Sequence, residues 1–275
     1  MNTPRRQDDR AFDQIRPITI TYDIYGYADA SLLFEQGDTK VLVGITLQMG
    51  VPHFLKGQRT GWLSAEYAML PTATQQRTQR ETSQAQRNAR SVEISRLIGR
   101  CLRTTIDLDV LGERTITIDC DVLQADGGTR VASITAASIA LQLAEKRWLT
   151  AKIIEKNIIK EHVAALSTGM VKGAALADLS YIEDSQAEAD FNFIMTKSGG
   201  LIEVQGTSEK KPTSLQLFDQ LKNLAVTGIE TLFTTCSKFP LPTEQQQSDI
   251  TFQSKQMQPR QQEKQAFFSL ASRLK

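Results

Sequence analysis

Between Arg114 and Gln124 the chain reads RTITIDCDVLQ, alternating apolar and polar residues at the period of two that a half-buried strand requires. The same alternation, rich in β-branched residues, predicts strands in PITITYD (17–23), ADASLLFEQ (28–36) and TKVLVGITLQMG (39–50). Gly37 and Asp38 separate the last two, as a hairpin turn does. Further on, Ile94, Leu97, Ile98, Cys101 and Leu102 recur at helical spacing, with Arg96, Arg100 and Arg103 on a different face. VASITAASIALQLAEKRWL (131–149) predicts a helix of small residues able to pack closely. AALSTGMVKGAALADLSYIED (164–184) and FNFIMTKSGGLIEVQGT (191–207) read as further strands, with KSGG as a turn. A long amphipathic helix follows over 213–236, its start marked by Thr213 or Ser214 as a cap. Strands and helices alternate irregularly, so the pattern predicts α+β rather than a doubly wound sheet.

Two stretches break the pattern. TATQQRTQRETSQAQRNAR (72–90) has almost no apolar residues but carries Arg77, Arg80, Arg87 and Arg90, so no core can hold it. From Phe239 onward the chain is Gln-rich and ends in AFFSLASRLK, which predicts a flexible tail over 239–275 behind a folded region over 1–238.

With 275 residues and 40% hydrophobic content, the chain is long and apolar enough for a large core. Its 32 basic and 31 acidic residues leave almost no net field, so any nucleic-acid binding must use local patches. Three scattered cysteines without ligand spacing predict a reduced, cytoplasmic setting. Only two histidines, His53 and His162, weigh against a zinc site and a serine–histidine triad. The first ten residues lack an apolar signal core, and no apolar stretch is long enough to span a bilayer.

Four stretches offer chemistry. In DCDVLQADGGTR a predicted strand leaves through Gly127 and Gly128 into a helix opened by Thr129 and Arg130. Glycine conformations let successive N–H groups face one point, the helix start adds positive potential, and the guanidinium can hold two phosphate oxygens. Arg90 likewise stands at the start of the apolar helical stripe. In YIEDSQAEADF, Asp184 is expected to end one strand and Asp190 to open the next, two carboxylates able to share a hard cation; Glu183 and Glu188 read as bystanders or outer-sphere groups. Lys56, Arg59 and Trp62, then Arg77, Arg80 and Arg87, suit the backbone of a single strand. Taken singly, each stretch also reads as an ordinary turn or solvated loop. Phosphorolysis is the chemistry that uses all four, and it needs little general-base help because phosphate is already anionic.

GDTKVLVGITLQMGVPHFLKGQRTGW, SAEYAMLP, VEISRLIGRCLR, TITIDCDVLQADGGTRVASITAA, YIEDSQAEAD and LIEVQGTSE together resemble the ribonuclease PH family, over about Arg5 to Phe239. The resemblance implies a duplicated ββαβα-type unit, similar to domain 2 of ribosomal protein S5. It further implies a phosphate-dependent 3′→5′ exoribonuclease that trims tRNA precursors and other RNA 3′ ends, releases nucleoside diphosphates, and runs in reverse as a nucleotidyltransferase. The alternative is a catalytically silent ring subunit that binds RNA or acts as a scaffold. By the same resemblance, Arg90, Gly128, Thr129 and Arg130 hold phosphate, Asp184 and Asp190 support Mg²⁺ and catalysis, and Lys56, Arg59, Arg77 and Arg80 contact RNA. A cytoplasmic homohexamer, a trimer of dimers, is the implied assembly. The chain departs from the family pattern at Asn88 and Ala89, where glycines are common, and at Thr72, where an arginine often follows MLP.

Overall fold

The structure, a computed structural model, describes residue 6, residues 8–80 and residues 88–242. Arg87 and positions 243–275 of the expected tail lie outside the described residues. Residues 239–242 pack on the core instead: the Tyr22 hydroxyl donates to the Phe239 carbonyl at 2.9 Å and Lys146 Nζ to that of Pro242 at 2.7 Å.

The N-terminal half builds a five-stranded sheet from β1 (Ile18–Tyr22), β2 (Ala30–Gln36), β3 (Thr39–Met49), β4 (Trp62–Met69) and β5 (Arg114–Gln124), in the order β1-β2-β3-β5-β4. β5 runs antiparallel to β3, with Gly44 opposite Asp119, and parallel to β4, with Tyr67 opposite Cys120. The parallel partner requires a crossover, supplied by α1 (Ala89–Arg103) and the short α2 (Leu108–Leu111). Alternation along β5 sends Ile116, Ile118, Cys120 and Val122 into the core. Asp119 and Asp121 therefore fall on the opposite face, away from the glycine pair, where burial raises both carboxyls above the ordinary range.

α3 (Thr129–Thr150) has no polar face because it is buried on nearly all sides, packing on β2 and β3 of the first sheet and on β6 of the second. That second sheet has the order β7-β6-β8-β9, from β6 (Val163–Val171), β7 (Ala174–Ala177), β8 (Ala189–Thr196) and β9 (Leu201–Ser208). β7 pairs with β6 only from Thr168 to Val171. On the earlier part of β6, the Thr135 and Ser138 hydroxyls of α3 accept from the amides of Ala165 and Val163, both at 3.0 Å, so buried donors that lack a strand partner are satisfied by the helix. α5 (Leu215–Cys236), capped by Ser214, covers β6 and β7, and Gly228 admits the Leu166 side chain.

One expectation is corrected. Asp184 ends a single helical turn, α4 (Tyr181–Asp184), rather than a strand. Ser180 and Glu183 form a reciprocal capping box, which nucleates a helix start and makes Glu183 a structural group rather than a bystander.

Candidate active site

β4, β5 and both long helices of the first half deliver their chemistry to one end of the sheet. β5 ends at Gln124, and the chain turns through Gly127 and Gly128, with φ of 75° and 64°, into the first turn of α3. Gly128 is the N-cap in left-handed conformation, and the N–H groups that open a helix have no partner within it. Thr129 is buried, and its Oγ1 accepts a 2.9 Å hydrogen bond from the Tyr67 hydroxyl near the end of β4. α1 starts at the same end, where the Asn88 side chain accepts from the Arg90 amide at 2.9 Å. The Asn88 departure thus acts as a helix cap immediately before Arg90.

The charges of Arg90 and Arg130 act on the same groups. Burial pushes the Tyr67 phenol up, opposed first by the Thr129 hydrogen bond and then by the Arg90 and Arg130 charges. Burial also pushes the Asp184 carboxyl up, and again Arg90 and Arg130 both oppose it. Asp190, which opens β8 opposite Gly169, is raised by burial, then by the like charges of Asp184 and Glu209. Arg130 thus acts on both carboxylates and Arg90 on Asp184, although these residues are distant along the chain. Arg130 is held in it by Gln205 of β9 and by Glu93 of α1, at 3.4 Å from the latter.

The approach of the two halves is tight. A Cβ on Gly127 would lie 2.5 Å from the Leu179 carbonyl oxygen and 2.8 Å from the Tyr181 nitrogen. Asp126 Oδ1 accepts from the Tyr181 amide at 3.2 Å. Beneath this contact is a buried group that the periodicity did not point to. The Arg16 guanidinium reaches Asp178 at 2.7 Å and also donates to the Asp126 and Gly127 carbonyls. Arg6 makes two hydrogen bonds to the Glu183 carboxylate, at 2.8 and 2.7 Å. A legible signal existed: Asp178 is a lone carboxylate in the apolar run AALADL, and such a group requires a buried cation.

The basic residues divide. Arg77 and Arg80 are exposed and follow the end of β4. Lys56 and Arg59 are exposed on the loop before its start, so the strand from Trp62 to Tyr67, about 17 Å at ~3.3 Å per residue, separates them from the arginine pair within one chain. At that far end Arg103 lies over the Trp62 ring, 4.4 Å from its centroid, and Phe54 meets the ring edge-on at 5.3 Å.

Both carboxylates suit a hard cation, because ionised oxygens of like charge in a partly desolvated place gain from neutralisation. Among the described residues no cluster of three or more His, Cys, Asp or Glu side chains could hold a metal. No helix among the described residues is long and apolar enough to cross a membrane.

Solved structures share this fold. The chain of an Archaeoglobus fulgidus exosome, solved with RNA bound to the active site, superposes with a TM-score of 0.70 at 22% identity, over 86% of this chain and 93% of that one. Rrp46 of rice (Oryza sativa) gives 0.69 at 16% identity, over 86% and 100%. An archaeal exosome core gives 0.66 at 22%, over 83% and 89%. At these identities the likeness is one of fold. The model of the 3′ exoribonuclease family, domain 1, matches residues 14–147, and that of domain 2 matches residues 162–228. Two matched halves, joined across the glycine pair and the Asp184 turn, make the chain a member of the ribonuclease PH family of 3′ exoribonucleases.

Proposed function

We propose that the protein is an active phosphorolytic 3′→5′ exoribonuclease that trims the 3′ ends of tRNA precursors and other RNAs. The observation that carries this reading is the convergence of Arg90 and Arg130 with Asp184 beside the Tyr67–Thr129 hydrogen bond. Two guanidinium groups and a helix start make a pocket for orthophosphate, with Gly128 and Thr129 offering N–H and hydroxyl donors. Held there, a phosphate oxygen attacks the terminal phosphodiester phosphorus, and the bond to the 3′ oxygen of the preceding nucleotide breaks. The nucleoside 5′-diphosphate leaves, and the proton carried by orthophosphate ends on the new 3′ hydroxyl. Running the steps backwards adds a nucleotide from a diphosphate.

Mg²⁺ bound by Asp184 and Asp190 would supply neutralisation of the crowded phosphate oxygens. Arg90 and Arg130 align the nucleophile, which in phosphoryl transfer accounts for most of the catalysis. Arg77, Arg80, Lys56 and Arg59 would guide the RNA backbone. Because Lys56 and Arg59 lie beyond the reach of their own chain's pocket, a cytoplasmic homohexamer, a trimer of dimers, suits the arrangement by letting one subunit's loop serve a neighbour.

The test is chromatography of the products from a short RNA, with and without phosphate. Diphosphates are expected only with phosphate, and Arg130→Ala should lower their release by about 10²–10³-fold, as loss of a donor to transition-state charge does. Monophosphates would mean hydrolysis. No product would mean a silent ring subunit, and either result overturns the proposal.

A further inference from the structure

A phosphate-binding turn from one half of the chain and a carboxylate-bearing turn from the other must keep a fixed separation, because in-line transfer is lost with small displacements. No covalent bond sets that distance: Gly128 and Asp184 are joined through the whole of α3, β6 and β7. Arg16 is placed to set it. Its Nη2 meets Asp178 Oδ1 at 2.7 Å, its Nε meets Oδ2 at 3.1 Å, and its backbone amide donates to the same Oδ2 at 2.6 Å. The same guanidinium donates to the Asp126 carbonyl and, at 3.5 Å, to that of Gly127. Thr39 Oγ1 completes the hold, donating to the Gly127 carbonyl at 2.7 Å and accepting from the Asp126 amide at 3.1 Å.

On the far side, Asp178 sits in left-handed backbone (φ 54°) just before the turn that carries Asp184, and its carbonyl accepts from Arg6 at 2.8 Å. Side-chain exposures of 4% for Arg16 and 0% for Asp178 keep water from the pair, so the planar fork is shared only among protein acceptors; Arg10 adds a second, longer contact to Asp178 at 3.4 Å. A pair whose only task was to fasten the N-terminal segment would not need its cation spread over two carbonyls of the glycine loop.

We propose that the buried Arg16–Asp178 pair is a positioning device that registers the Gly127–Gly128 loop against the Ser180–Asp184 turn, setting the gap across which Arg130 and Asp184 act on one phosphate. The inference rests on the phosphorolytic reading. Arg16→Lys keeps the charge and removes the fork; Asp178→Asn keeps the shape and tolerates the left-handed backbone. Thr39→Val, isosteric and uncharged in both forms, removes one hold on Gly127. Ile229→Val, in the core of α5, is the control for destabilisation alone.

The measurements are melting temperature, KM for phosphate, kcat and the Mg²⁺ midpoint, all on the full chain. Expected are a rise of at least tenfold in the phosphate KM and a raised Mg²⁺ midpoint for Arg16→Lys and Asp178→Asn, and a several-fold rise for Thr39→Val. Ile229→Val should shift the melting temperature alone. If the variants that fold melt lower yet keep the wild-type phosphate KM and Mg²⁺ midpoint, the pair is structural and the proposal falls while phosphorolysis stands. Should Arg16→Lys and Asp178→Asn fail to fold, an unchanged phosphate KM in Thr39→Val refutes it. A wild-type protein that releases no diphosphate removes the phosphorolytic reading, and the proposal with it.

Discussion

Replacing Gly127 by alanine tests the closest approach between the two halves. At φ 75° an L side chain costs about 1–2 kcal/mol of backbone strain. The added Cβ would also sit 2.5 Å from the Leu179 oxygen, 2.7 Å from the Ser180 carbonyl carbon and 2.8 Å from the Tyr181 nitrogen. All three are backbone atoms, so no side chain can swing aside, and overpacking of this kind adds about 1–3 kcal/mol. The sum, about 2–5 kcal/mol, corresponds to a fall in melting temperature of roughly 4–20 °C for a domain of this size. Gly173 is the internal control: its φ is 79°, but a Cβ there meets nothing within 4 Å. Gly173→Ala should therefore cost only the strain, about 1–2 kcal/mol, or roughly 2–8 °C. Relief of the Gly127 clash requires the glycine loop and the Ser180 backbone to move apart, widening the gap between Arg130 and Asp184, so the phosphate KM should rise in Gly127→Ala and not in Gly173→Ala. Thermal melts with phosphate-dependent product release decide the matter. Equal melting shifts, or a wild-type phosphate KM in Gly127→Ala, would refute the reasoning.

The remaining expectations concern charge. Burial and the nearby Asp184 and Glu209 raise the Asp190 carboxyl, so its contribution to stability is present below the ordinary carboxylate pKa and lost as pH rises through the elevated one. At neutral pH Asp190→Asn should thus melt no lower than wild type, yet should lose phosphorolysis and the Mg²⁺-induced rise in melting temperature expected of wild type, about 2.7 kcal/mol at a hundredfold excess over Kd. A lower melting temperature with activity retained would contradict this. Burial alone would raise Asp178 and Glu183 as well, but Arg16 and Arg10 in one case and Arg6 in the other hold both carboxyls below their ordinary values of 3.8 and 4.5. Their stabilisation is present above those values and lost as pH falls through the depressed ones, so melting curves below about pH 4 should steepen in wild type and flatten in Asp178→Asn. An identical acid limb in the two proteins would argue against the ion pair.

Local pattern carried most of the elements. β5 occupies the stretch that alternates, Arg114–Gln124, and α1 carries the apolar stripe from Ile94 to Leu102, because each presents one face to a core and the other to solvent or a neighbour. Where an element is buried all round, as α3 is, periodicity showed a helix but not its two partners. The helical turn at Asp184 is not legible in the hydrophobic pattern because four residues are too few for a period to register, and its cause, the Ser180–Glu183 capping box, is local side-chain chemistry rather than periodicity. The motifs with glycine and arginine were readable singly, as were the two aspartates, since backbone freedom and side-chain charge are properties of individual residues. Their assembly was not. The parallel seating of β4 on β5, the closure of Gly127 on Ser180, and the recruitment of Arg16, otherwise part of a polar lead, to Asp178 all join residues tens to hundreds of positions apart. Such contacts depend on how the two sheets pack around α3, and burial there turns an arginine and an aspartate into an obligate pair. Residue identity decided what chemistry was on offer; packing decided which groups meet.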